Sequence, residues 1–167
     1  MHYQPLLLAA GLALGVAGAT AAQDGAVMAQ LKAADGGSVG EVTFLEMRSG
    51  VLVRAAVTDL LPGPHGFHIH ETGACTPDFA AAGEHLAPDG HEHGFAATDA
   101  PHAGDLPNLV ATQDGTASAE FMNWRLSFDD LLDDDGSAIV IHSQADTYMD
   151  PDSAGERLAC GVIEQQS

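Results

Sequence analysis

The chain has 167 residues, enough for about one domain. Five Lys+Arg against 24 Asp+Glu give a net charge of −19, which excludes a nucleic-acid partner and disfavours an anionic membrane surface. A hydrophobic fraction of 46% argues against disorder, and two Cys are too few for a disulfide miniprotein or a Cys-ligated zinc finger.

The first element is Leu6 to Ala22, an uncharged run of 17 residues that ends in small side chains. Ala19-Thr20-Ala21 fits an A-x-A cleavage site. Residues 1–22 are read as an export signal, cut after Ala21 or Ala22, and residues 23–167 as one mature domain. The rival reading, a membrane anchor, sits at the lower length limit for a span. No Lys or Arg precedes the run, and no Cys follows it to carry a lipid. An exported chain stays in a periplasm or outside the cell, with no stable membrane association once the signal is gone. In that oxidising setting Cys75 and Cys160 can pair. The chain-entropy estimate for such a loop is roughly 4.6 kcal/mol. Two buried free thiols are the alternative.

The mature chain reads as strands joined by working loops. Val42 and Phe44 share one face of Glu41–Phe44, and Val51, Val53, Ala55 and Val57 alternate with Leu52, Arg54, Ala56 and Thr58. Ala33–Gly37 and Arg48–Gly50 are hairpin breaks around them. Gly115–Met122, Ser137–His142 and Arg157–Glu164 are further strand candidates. No long amphipathic helical period appears. Many short strands with Gly-rich turns predict an all-β sandwich or barrel. Two stretches resist a strand reading: Glu71–Asn108, rich in Gly, Pro, Ala and His, and the acidic Ser143–Glu156. A structureless loop of the first length needs something to order it. Asp129, Asp130, Asp133, Asp134 and Asp135 read as a solvated turn, because calcium-loop spacing is absent. Trp124 reads as packing or a loop anchor.

Nine His stand against one Lys, and imidazole is a common metal ligand. His68-Ile69-His70 on a strand puts both imidazoles on one face and Ile69 in the core. His142 ends the apolar run Ala138–Ile141 and alone could equally be a satisfied core residue. His85, His93, His102 and Asp105, at intervals of 8, 9 and 3, fit neither helix nor strand. They suit a loop wrapped round an ion, with Gly94 and Gly104 giving backbone freedom. Three imidazoles and one carboxylate suit tetrahedral zinc.

From Ala26 to Ile163 the chain resembles the copper/zinc superoxide dismutase family. The motifs are Gly66-Phe67-His68-Ile69-His70-Glu71, Cys75, His85 with its three partners, Ala103-Gly104-Asp105-Leu106-Pro107-Asn108-Leu109, Ile141-His142, and Gly155–Val162. The resemblance implies a Greek-key sandwich or barrel of about eight antiparallel strands, immunoglobulin-like, with long metal-binding and electrostatic loops. It implies one copper and one zinc cation per chain. His68, His70, His85 and His142 would hold copper, and His85, His93, His102 and Asp105 zinc, with His85 a bridging imidazolate. Asp146 would orient one ligand of each ion, and Arg157 would guide the anion. The rival reading of Arg157 is a surface ion pair with Glu156. Cycling copper, with Arg157 and His85 as catalytic residues, would disproportionate the superoxide anion to oxygen and hydrogen peroxide. A non-catalytic copper/zinc-binding or copper-delivery protein on the same fold is the alternative, since fold alone does not fix function. His65 would be structural, His91 an exposed loop residue, and His2 would leave with the signal. The Ser143–Glu156 loop contains no Lys, whereas the family places Lys there. Sandwich interfaces leave no motif, so monomer and homodimer both stay open.

Overall fold

Ten short strands carry the architecture of the computed structural model, which describes residues 26–166. The proposed export signal lies outside the described residues. The strands are β1 (Val27–Ala33), β2 (Ser38–Met47), β3 (Gly50–Val57), β4 (Gly63–His65), β5 (Phe67–His70), β6 (Leu109–Ala111), β7 (Ala117–Asn123), β8 (Ala138–His142), β9 (Arg157–Val162) and β10 (Glu164–Gln165). The hairpin breaks fall where the sequence placed them, and Val51, Val53, Ala55 and Val57 all point inward. The expected Arg157–Glu164 strand divides at Ile163 into β9 and β10.

All pairings are antiparallel. One sheet runs β5-β8-β9-β1-β2-β3-β7, with β10 added on β1, and a second pairs β4 with β6. Only Gly66 separates β4 from β5, so the two sheets share one bent strand. The strands therefore follow one another round a curled sheet, broken in hydrogen bonding between β6 and β7. Between β3 and β4 in that circuit lie β7 and β6, a Greek-key crossover.

Inside lie Leu31, Phe44, Phe67, Ile69, Leu106, Leu109, Ile139 and Ile141, all fully buried. Each such side chain contributes about 1.5–3 kcal/mol. β8 is buried on both faces. Ile139 and Ile141 join the main core, while Ala138 and Val140 pack with Ala82 and Cys160 in a smaller cluster under Cys75 and Phe79. On β5, Phe67 and Ile69 face the core, so His68 and His70 face outward under the loops.

Glu71–Asn108 contains no strand, only a one-turn helix at Phe79–Ala82. The acidic cluster begins in a one-turn helix, Phe128–Leu131, closed by a Ser127–Asp130 capping box, and Asp133–Asp135 are exposed beyond it. Trp124 corrects an expectation. It is 73% exposed in the turn after β7 and packs no core, because Asn123, still paired with Val51, takes the last inward position of that strand and Trp124 follows on the outward side.

Candidate metal centre

The outer face of β5 and β8 carries the site. His68 pairs with Val140 and His70 with Ala138, so His68, His70 and His142 share that face. A β-bulge between Ile141 and His142 skips Leu158 and sets His142 opposite Arg157. Cross-strand partners share a face, so the bulge brings the arginine beside the imidazoles. The long loop reaches them by pairing with Ile69: Ile69 donates its N–H to Gly104 O at 2.9 Å, and Leu86 donates to Ile69 O at 2.9 Å. A side chain at Gly104 would overlap the Ile69 carbonyl. Gly94 holds φ +90° against Tyr148 O, a conformation open to glycine.

Two groups of four side chains result. His68, His70, His85 and His142 have ligand atoms within 4.8 Å of one another, as do His85, His93, His102 and Asp105. His85 belongs to both. Its Nδ1 lies 2.9 Å from Asp105 Oδ1, which leaves Nε2 for the first group.

The contacts behind each ring fix which nitrogen is free. His68 Nε2–H donates to Asp146 Oδ2 at 2.8 Å, His70 Nδ1–H to Gly83 O at 2.9 Å and His142 Nδ1–H to Gly155 O at 3.2 Å. The opposite nitrogens, His68 Nδ1, His70 Nε2 and His142 Nε2, are buried without a partner. Buried polar atoms are normally satisfied, so three orphaned lone pairs in one group fit a cation. The second group gives the same result. His93 Nε2–H donates to Asp146 Oδ1 at 3.1 Å, yet His93 Nδ1 sits 3.1 Å from Asp105 Oδ1. A neutral ring has one N–H, so that second contact sets lone pair against lone pair until a cation lies between them. The Nδ1 atoms of His85, His93 and His102 stand 2.9, 3.1 and 3.4 Å from the same oxygen. A tetrahedral zinc with bonds near 2.05 Å spaces its ligand atoms about 3.3 Å apart.

Electrostatics agree. Burial pushes His68 and His102 below the usual imidazole range, His70 to about 2 and His142 to about 4, so these rings favour the neutral, donor form. Burial opposes the Asp105 charge, but the His85 ring and the Gly94 N–H hold its carboxyl at about 2. Asp146 is likewise held well below its ordinary value, against burial, by His68, the Tyr148 N–H and His93.

Sequence reasoning missed the residues that set Asp146 in place. Asn108 Oδ1 accepts from Asp146 N at 2.8 Å, and Asn108 Nδ2 donates to Asp146 O at 2.9 Å. Tyr148, at φ +61°, donates its N–H to Asp146 Oδ1 at 2.7 Å, and its hydroxyl accepts from Asn108 N at 2.7 Å. Asn108 lies inside the Ala103–Leu109 motif; nothing in the sequence marks Tyr148. Arg157 donates to Phe79 O at 2.6 Å and Gly83 O at 2.7 Å, and makes no ion pair with Glu156 among the described residues. Cys75 and Cys160 are joined in a disulfide that holds this loop to β9. His65 is buried between the carbonyls of His142 and Leu61, each 2.8 Å away. His91 is more enclosed than expected, 3.1 Å from Asp99, and belongs to neither group.

A model of the family described as copper/zinc superoxide dismutase matches residues 38–163. A copper-zinc superoxide dismutase of Caulobacter vibrioides is 42% identical over 146 residues, covering 81% of this chain and 84% of that protein. The crystal structure of a superoxide dismutase-like protein from Bacillus subtilis superposes with a TM-score of 0.77 at 36% identity, over 82% of this chain and 97% of that one. The copper/zinc superoxide dismutase of Brucella abortus gives 0.71 at 30% identity, over 82% and 98%. By sequence, by fold and by the extent of the match, the chain belongs to the copper/zinc superoxide dismutase family.

Proposed function

We propose that the chain disproportionates superoxide, two anions and two protons giving one O₂ and one H₂O₂. The observation that carries this is His85, one ring shared by two four-ligand groups. In this reading His68, His70, His85 and His142 hold copper, and His85, His93, His102 and Asp105 hold zinc. Copper supplies one-electron chemistry between Cu(II) and Cu(I), and zinc is redox-inert. His85 Nε2 is the atom that gives up and retakes a proton, while its Nδ1 stays on the Asp105 side. Asp146 fixes the His68 and His93 rings from behind, so neither can swing. Arg157 receives the anion. Two of its five N–H groups are spent on carbonyls, which aims the guanidinium and leaves its charge at the mouth. A metal-binding or copper-delivery protein without turnover would not need one imidazole shared by two ligand groups and an anchored arginine beside it.

The export signal and a periplasmic or extracellular location belong to the same proposal. The uncharged Leu6–Ala22 run and the Cys75–Cys160 disulfide support them. Superoxide decay after a radiolysis pulse, with the chain loaded with copper and zinc, tests the activity. Decay first-order in superoxide and proportional to the concentration of the loaded chain is expected; decay no faster than with the metal-free chain overturns the reading.

A further inference from the structure

The mouth of the site has the wrong sign for an anion. Glu71, Glu84, Asp152 and Glu156 line the cavity onto which His70, His85, His102 and His142 open, and Arg157 is the one Lys or Arg in its wall. Glu84, Asp152 and Glu156 are exposed and make no ion pair among the described residues. The sole lysine, Lys32, lies on β1 and not in this cavity wall. Behind the carboxylates, in the same wall, His70 Nε2 and His142 Nε2 are buried and unpartnered. The cavity thus presents a negative rim over free imidazole lone pairs, and imidazole nitrogen suits Cu²⁺.

We propose that Glu84, Asp152 and Glu156 form a capture rim for Cu²⁺, which speeds copper loading and slows superoxide encounter. This rests on the copper assignment above. The mechanism is the field of fixed charges. A cleft lined by one sign raises the local concentration of the opposite ion and changes on-rates by about 10- to 1,000-fold. The same rim sets three negative charges against the one positive charge of Arg157, so it repels O₂⁻ on approach. At 0.1 M salt charges more than about 10 Å apart are screened, so salt removes that repulsion while the anion is still distant.

The variant is Glu84→Gln/Asp152→Asn/Glu156→Gln, three near-isosteric changes on exposed side chains. Glu71 stays, because its carboxylate accepts from the Glu84 N–H at 3.2 Å and supports the loop. The zinc-loaded, copper-free chain is mixed with Cu²⁺ in a non-coordinating buffer, and uptake is followed by the visible absorbance of bound copper. At low ionic strength the variant should take up copper about tenfold more slowly than wild type. Wild-type uptake should slow with added sodium perchlorate, and the variant's should slow less. Superoxide decay should move the other way. The loaded variant should be several-fold faster at low salt, and the wild-type rate should stay flat or rise with salt. Copper uptake indifferent to both variant and salt overturns the proposal, as does a change of the same sign in both rates. A loaded wild type without dismutase activity overturns the proposed function only, because uptake is read without superoxide and still decides the rim.

Discussion

His85 is the residue on which both metal groups depend, and its substitution separates them from each other. His85→Ala should lower copper and zinc content together, whereas His93→Ala should chiefly lower zinc, as read by metal analysis after dialysis. Wild-type contents of both metals in His85→Ala would show that the ring bridges nothing. Tyr148 is a subtler case. A bulky residue at φ +61° is strained, and the strain is held because its N–H and hydroxyl serve Asp146 and Asn108. Tyr148→Phe keeps the ring but leaves the Asn108 N–H without its acceptor, a loss of about 1–3 kcal/mol. Chemical denaturation should show it as a lower midpoint; an unchanged midpoint means water takes over. The histidines were legible because imidazole is scarce and their intervals resemble a family pattern. Tyr148 was not, since φ is a property of the closed loop and no residue type announces it.

Among the elements, β8 was readable from its apolar run and β5 from the His-x-His spacing, with His68, His70 and His142 falling on the side away from Ile69, Ile139 and Ile141. The bulge that sets Arg157 opposite His142 was not, because one skipped residue leaves the alternation of β9 almost intact. Trp124 misled for a related reason. Aromatic bulk suggests a core, but a strand end can turn it outward. The disulfide ties these elements together. It fixes the loop whose Phe79 and Gly83 carbonyls aim Arg157. Thiol titration of the denatured, unreduced chain should find no free Cys. Replacing both cysteines by Ser should remove up to roughly 4.6 kcal/mol of stability. It should also weaken anion binding at Arg157, measured as azide affinity of the loaded chain. Loss of stability with azide affinity unchanged would detach the arginine from the loop.

At the scale of the whole molecule, acid and metal act on one equilibrium. His70 and His142 are depressed to about 2 and about 4 by burial, while an unfolded imidazole protonates near pH 6.5. Below that pH the unfolded chain binds protons that the folded chain refuses, so stability falls as pH falls. Asp105, held at about 2, adds a second loss below the ordinary carboxylate range. The metal-free chain should therefore lose stability first between about pH 6.5 and 4, then again below 4. A denaturation midpoint that is flat across the upper window contradicts the neutral-histidine site. The Asp146 contacts carry a different message, about time. His68 lies 78 residues from Asp146 and His93 lies 53, so the carboxylate spans the site only after the last third of the chain has docked. Pairings so distant form late and make folding slow. An emerging chain that ends before β8 holds no His142 and no Asp146, and has nothing to offer copper beyond scattered imidazoles. Metal bound after that docking would act as a latch on a finished barrel, leaving the refolding rate unchanged and lengthening the lifetime of the folded state.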